Sequence, residues 1–435
     1  MGKKSASILK LGASLLLPCL VGLGGGAADA AGFYLGERSI KASGTGFAGA
    51  AALSDDASFM SFNPAILTGL KSAQITGGGY IIAPRAVVSN EGSFANIGPY
   101  TGLPLNGSAR DQAFKPQPSG FLAAAMPITE DVWAGISVSA PFGLKNRYDE
   151  DYFGRYDSTQ SSIMVIDIAP TLAWRVTDGL SIGGSLSMQR SGVTLVSAIP
   201  NPFDPAGPSA ASDGSFRVHG TDWAYGYSLG LLFEPIDTVH LGVSYRGRVK
   251  HRLHGTATTT LFGQTTEQGV AADLNLPDVI AVAAAFDVTP RLTLLAQLNH
   301  YGWNRFKQIQ LDLADGTTQV SPENYRNSLG GSVGAKYLAN DRLTLRAGVN
   351  YDETPTLNNN RSTRVPDTNR WWLAVGLSYQ LMDQLSVDVS YMHLLNKSGA
   401  INRTSSFPAL ATTINTIGST DDSCNVFGLG LSHNF

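Results

Sequence analysis

Cysteine is nearly absent: 435 residues carry only Cys19 and Cys424, which excludes a disulfide framework and a cysteine-based metal centre. The seven histidines are scattered without metal-ligand spacing, so no metal is expected. Neither sign of charge dominates, with 31 basic against 34 acidic residues, and nothing points to nucleic acid. Beyond the first thirty residues no apolar run approaches the ~20 residues a spanning helix needs, and no long 3.6-residue stripe marks a helical protein. The pattern Gly44-x-Gly46-x-x-Gly49 has neither a preceding strand nor a βαβ unit around it, so it reads as turns rather than a dinucleotide site. No Ser/His/acid set or acid pair converges, so no catalytic residue and no cofactor are assigned. What is abundant is glycine, 48 residues, with many Tyr, Phe and Trp, a composition that points to β structure.

The N-terminus reads as a signal peptide over residues 1–30. Lys3, Lys4 and Lys10 precede the apolar run Leu11 to Leu23, and Ala28-Asp29-Ala30 supplies a small-residue cleavage site. Cys19 lies inside the run without the small residues that precede a lipidated cysteine. Processing after Ala30 leaves 28 basic and 33 acidic residues and retains Cys424 alone.

From about Ala73 the chain divides into segments of about ten residues that alternate with period two. Trp371, Leu373, Val375, Leu377, Tyr379 and Leu381 alternate with Trp372, Ala374, Gly376, Ser378 and Gln380, and Leu343 to Asp352 repeats the pattern. The apolar parity could face a sandwich core or lipid, and the connections decide. Short ones lie at 127–131, 176–179, 235–238, 287–290, 339–341 and 382–384; long ones cover 84–117, 142–161, 191–221, 253–277, 304–326, 353–369 and 396–423. Six turns and seven loops join fourteen strands, short at one end and long at the other, as in an outer-membrane barrel. The predicted fold is therefore an all-β membrane protein, a 14-stranded antiparallel transmembrane β-barrel over residues 73–435. The final strand, with Phe427, Leu429, Leu431 and Phe435 on one face, resembles the signal read by outer-membrane insertion machinery.

Residues 31–72 do not alternate and are too few for a core of their own; ahead of a wide barrel they read as a hatch, or plug, in its lumen. Here the sequence resembles the FadL family of outer-membrane transporters of long-chain fatty acids and other hydrophobic compounds. The resemblance rests on Ala31-Gly32-Phe33, Gly44 to Ala50, Asp55-Asp56-Ala57 and Asn63-Pro64-Ala65. Further on it rests on Pro141-Phe142-Gly143-Leu144, Leu276-Pro277-Asp278, Trp303 to Phe306 and Val365 to Trp372. It implies a monomer among outer-membrane lipids, and transport is expected to be passive, since nothing resembles an energy-coupling box or a nucleotide site. Ligand would land on a groove between outer loops, move to a lumenal pocket reached by Phe33, and leave sideways at a kink in the third strand. By position, Gly143 would lie at the kink and Asn63, Pro64 and Ala65 beside the opening. The family's carboxylate-binding basic residues have no match; one falls near Ser197.

The residues themselves add two expectations. Val193, Leu195, Val196, Ile199 and Phe203 of the third loop, with Leu261 and Phe262 of the fourth, form an apolar set suited to a groove, or to packing the loops together. Arg246, Arg248, Lys336 and Arg346 lie on the polar parity of their strands and could receive a carboxylate head group, or pair with lumenal acids such as Asp167, Asp352 and Asp388. Monoaromatic hydrocarbons are the alternative substrate. A general porin is disfavoured by the plug.

Overall fold

The computed structural model describes residues 32–204 and 207–435; the expected signal peptide lies outside them. Fourteen antiparallel strands close into a barrel. They are β1 (Gln74–Asn90), β2 (Gln117–Pro127), β3 (Val132–Arg147), β4 (Gln160–Thr177), β5 (Leu180–Ile199), β6 (Gly214–Ile236) and β7, in two stretches (Val239–Arg246 and Val249–Leu261). There follow β8 (Gln264–Leu276 and Val279–Thr289), β9 (Leu292–Tyr301), β10 (Ser328–Asn340), β11 (Leu343–Asp352), β12 (Arg370–Met382), β13 (Leu385–Asn396) and β14 (Thr412–Asn434). Closure comes from β1 and β14, paired from Gln74↔Asn434 to Asn90↔Gly418. A closed barrel leaves no strand edge to face hydrocarbon without hydrogen-bond partners.

The alternation sorts the faces as read. Trp371, Leu373, Val375, Leu377 and Tyr379 are exposed on the outer surface, whereas Trp372 and Ala374 are buried inside. Phe427, Leu429, Leu431 and Phe435 are likewise exposed, and the Phe435 N–H donates to the Ala73 carbonyl at 2.9 Å, holding the end of the chain beside the start of β1.

All six short turns fall between the strands they were expected to join. The long connections differ, because much of what reads as loop is strand. Over 191–221, β5 runs on to Ile199 and β6 begins at Gly214, and 253–277 is mostly a ribbon in which Val249–Leu261 pairs with Gln264–Leu276. Stretches such as Thr256 to Thr260 carry threonine on both faces, so they pair as strands without the hydrophobic alternation by which strands are recognised.

Residues 32–72 are almost wholly buried among inward-facing barrel residues. Ser39 caps a short helix α1 (Ile40–Gly44), and 3-10 turns follow at Ala57–Ser61 and Pro64–Gly69. Asn63 caps the last of these by accepting from Ala65 N–H at 3.0 Å, with Pro64 at the first helical position, where no amide donor is missed. The barrel wall is glycine where this backbone touches it: a Cβ on Gly348 would lie 1.8 Å from the Thr45 carbonyl oxygen, and one on Gly242 1.8 Å from that of Ala51. Ionic anchors complete the seat. Asp55 pairs with Lys336 at 2.8 Å and Arg346 at 3.0 Å, and Lys41 with Asp56 at 3.2 Å. Burial alone would raise the Asp55 carboxyl, but Lys336, Arg346 and Lys41 outweigh it and hold it well below the usual carboxylate range.

Candidate functional site

One extra residue in β3 organises the site. Pairing with β4 runs regularly to Ser139↔Asp167 and resumes at Phe142↔Val165, so Ala140-Pro141 forms a bulge. A bulge of one residue reverses which parity faces inward: Trp133, Ser137 and Ser139 are buried before it, Phe142, Leu144 and Asn146 after it. The same bend parts β3 from β2. Their pairing stops at Leu122↔Val138, while Gln117 to Phe121 stay paired with β1. The two chains meet again where the Arg147 N–H donates to the Ala113 carbonyl at 2.9 Å. Between these points a seam opens in the wall.

The backbone groups along that seam still need partners, and the N-terminal segment supplies some. The Leu35 N–H donates to the Pro141 carbonyl at 2.8 Å, and the Gly143 N–H to the Phe33 carbonyl at 3.0 Å. Residues 33–35 thus line the bent part of β3 from within, in place of β2. Gly143 follows the bulge rather than forming it.

Behind this contact lies an aromatic cluster drawn from distant parts of the chain. The buried Phe33 ring is 4.7 Å from Trp303, 5.7 Å from Phe306 and 6.1 Å from Phe142, centroid to centroid. Tyr34 is 5.3 Å from Tyr301, and Phe306 is 4.9 Å from Tyr325. Sequence reasoning reaches Phe33 and misses Tyr34, Tyr301 and Tyr325. Trp303 and Phe306 stand in the family motif, but nothing local assigns them a role.

Next to the cluster is a cavity of ≈ 50 Å³, lined among others by Tyr34, Glu37, Arg38, Arg246, Tyr301 and Asp352. It has room for a few waters and none for a long acyl chain. A second cavity of ≈ 40 Å³ adjoins the seam between Gly32, Phe114 and Leu144.

Of the three arginines expected to receive a head group, only Arg246 lines the larger cavity, where it pairs with Asp167. Arg346 is buried against Asp55 and donates to Ser378 at 2.6 Å; it fastens the N-terminal segment. Arg248 points outward because β7 gains a residue at its break, with Arg246↔Ser228 before it and His254↔Thr221 after it, so Arg248 is exposed beside the buried Val249. The expected acid partners hold for Arg246 alone, while Asp388 lies 3.9 Å from Lys41.

The direct contacts of Asn63-Pro64-Ala65 are elsewhere than at the β3 bend. The Asn63 amide donates to the Ala51 carbonyl at 2.6 Å and the Leu231 carbonyl at 3.0 Å, and a Cβ on Gly183 would strike Ala65 N at 2.5 Å. The motif is therefore seated on β5 and β6. In the outer region Phe203 and Phe262 are exposed with rings 5.7 Å apart. Phe262 and Gly263 turn the ribbon with φ of 51° and 73°, a conformation that costs a bulky residue some strain. Leu261 is half-buried at that turn, and Val193, Leu195, Val196 and Ile199 are half-buried along β5. Val196 has the opposite parity to the other three, so the four do not share one face.

Glu37 is 1 % exposed, and its Oε2 has no hydrogen-bond partner among the described residues. Burial pushes its carboxyl up to about 7, against smaller opposing effects from backbone bonds, Arg38 and Arg370. With the folded value raised, Glu37 contributes most below its ordinary value near 4.5, and the contribution is lost as pH rises through about 7. Seating of the N-terminal segment is therefore expected to weaken across neutral pH, read as faster proteolytic release, and Glu37→Gln to remove the dependence. A wild type released at one rate on both sides of neutrality would refute this.

A family described as "Outer membrane protein transport protein (OMPP1/FadL/TodX)" matches residues 21–435. This chain belongs to that family. Outer membrane protein P1 of Haemophilus influenzae is 27% identical over 461 residues, covering 98% of this chain and 100% of that one. The long-chain fatty acid transport protein of Escherichia coli K12 is 25% identical, covering 83% and 88%. The crystal structure of a Pseudomonas aeruginosa FadL homologue aligns with a TM-score of 0.81 at 23% identity, over 93% of this chain and 100% of that one. The Ralstonia pickettii toluene transporter TbuX aligns at 0.67 and 18%, over 91% and 97%. As an OMPP1/FadL/TodX protein, the chain is an outer-membrane transporter of hydrophobic compounds, not an enzyme.

Proposed function

We propose that this protein carries long-chain fatty acids inward across the outer membrane, passively, and delivers them sideways into the bilayer. Ligand is collected at the apolar outer tips around Phe203 and Phe262, passes to the aromatic cluster at Phe33, and leaves through the seam between β2 and β3. The observation that carries the reading is the double role of residues 33–35: the segment that fills the hydrophobic cluster also closes the seam, by the Leu35 and Gly143 hydrogen bonds. Withdrawing it would free the pocket and open the wall in one movement. Asn63, Pro64 and Ala65, fixed to β5 and β6, serve as the stationary base of that motion. Residues 31–72 act as the plug, which disfavours a general porin.

A second reading, uptake of monoaromatic hydrocarbons, is favoured by the aromatic lining and small volume of the space around Phe33. The two are separated by uptake of labelled oleate and of toluene in cells lacking their own transporter. Deleting Ala140 removes the extra residue of the bulge, so β3 can pair with β2 past Val138. Saturable oleate uptake that falls to background on this deletion supports the lateral route, provided the barrel still folds, as judged by its heat-modifiable migration. Undiminished uptake in the folded deletion would refute the route, and toluene uptake without oleate would transfer the function to the second reading.

A further inference from the structure

Arg38 is 2 % exposed, yet among the described residues it forms no salt bridge. Its Nη1 donates to the Ser61 carbonyl at 2.9 Å, its Nη2 to the Tyr34 hydroxyl, and its Nε to nothing. The guanidinium stacks 4.5 Å from the Phe62 ring centroid and 5.3 Å from that of Tyr34. Aromatic faces and one carbonyl orient a cation, but they do not neutralise it, and a buried charge without a counterion is costly to keep. Burial accordingly lowers its affinity for a proton, and the nearby Arg246 charge lowers it further. Both arginines line the same cavity, together with the neutral donors Ser228, Ser244, Gln297 and Asn299. Arg246 has Asp167; among the described residues no carboxylate lies within salt-bridge distance of Arg38, and Asp167, already paired to Arg246, acts on it only from farther off.

We propose that Arg38, with Arg246 beside it, is the receiving site for the carboxylate of an amphipathic ligand whose hydrocarbon chain replaces the Phe33 side of the aromatic cluster. This deepens the transport reading above and rests on it. An anion between the two cations would supply the missing counterion of Arg38 and relieve its repulsion with Arg246, and a guanidinium fork is the donor best matched to a carboxylate. The path is continuous, because Tyr34, Tyr301 and Val279 belong both to the hydrophobic cluster and to the cavity wall. Glu37, on the same wall, is largely protonated below about pH 7 and then opposes the anion little. The site thus selects carboxylate amphipaths over neutral hydrocarbons of the same shape.

The test compares binding of dodecanoate with that of its methyl ester, which keeps the chain and removes the charge, to the purified full-length protein in slightly acidic buffer. The wild type is expected to prefer dodecanoate, and Arg38→Gln to lower that preference about tenfold or more, the range of a lost charge-assisted hydrogen bond. Arg38→Lys should restore part of it, and Arg248→Gln, on the outer surface, should not change it. A wild type that binds both equally, or an Arg38→Gln protein that keeps the wild-type preference, overturns the site while leaving transport intact. A wild type that binds neither overturns the transport reading and the site with it.

Discussion

Asp55→Asn is expected to unseat the N-terminal segment and make the barrel leaky. It leaves the Lys336 and Arg346 charges, 25% and 5% exposed at the side chain, without their shared carboxylate. Breaking a buried pair by removing one partner costs about 3–5 kcal/mol, and here one side chain serves two cations. In planar bilayers the variant should show frequent open-channel conductance where the wild type is mostly closed, and protease should release the segment sooner. Replacing all three partners with apolar residues, Asp55→Leu with Lys336→Met and Arg346→Met, removes the stranded charges and should recover much of the seal. If Asp55→Asn conducts no more than wild type, the ionic anchor does not hold the plug. With its carboxyl held low by these cations, Asp55 contributes above its ordinary value near 4 and loses that contribution only as pH falls well below it, opposite to Glu37.

Gly348→Ala should have a comparable effect by a different route. The added Cβ would stand 1.8 Å from the Thr45 carbonyl oxygen, a backbone atom in the turn after α1 that has no rotamer by which to withdraw. Overpacking of this kind costs about 1–3 kcal/mol, sometimes more, and here it falls on the contact between plug and wall. Gly79→Ala is the control: its Cβ would meet nothing nearer than 3.7 Å on an exposed position. Thermal release of the N-terminal segment, followed by tryptophan fluorescence at Trp303 beside Phe33, should move to lower temperature for Gly348→Ala and stay put for Gly79→Ala. Equal behaviour of the two would show that the wall yields at Gly348.

The parts of the molecule legible in the sequence are those set by local periodicity. The six tight turns, the outward face of β12 from Trp371 to Tyr379 and the terminal Phe435 follow from neighbours two residues apart, because a strand with one face in lipid must alternate. The strand count follows from the turns. A plug could be inferred from 31–72 for a related reason: a segment with no pattern of its own has no stable fold except against something else.

What only the tertiary structure decided is where single residues break that periodicity and what then comes together. The bulge at Ala140-Pro141 and the extra residue at the β7 break each reverse the inward parity, and such a slip is defined only by the register of the neighbouring strand. It carries Arg248 to the outer surface and frees β3 from β2. The partner of Arg346 is Asp55, 291 residues away, and the cluster around Phe33 draws Phe142, Trp303, Phe306 and Tyr325 from separate strands and loops. Arg38, five residues from Phe33, the nearest position the sequence singled out for binding, is notable only because closure buries it with no carboxylate at salt-bridge distance among the described residues. The sequence by itself determined a fourteen-stranded barrel with an apolar outer face, since alternation and turn chemistry act over a few residues. The seam, the pocket and the charge within it were decided by contacts between segments hundreds of residues apart, which no local pattern encodes.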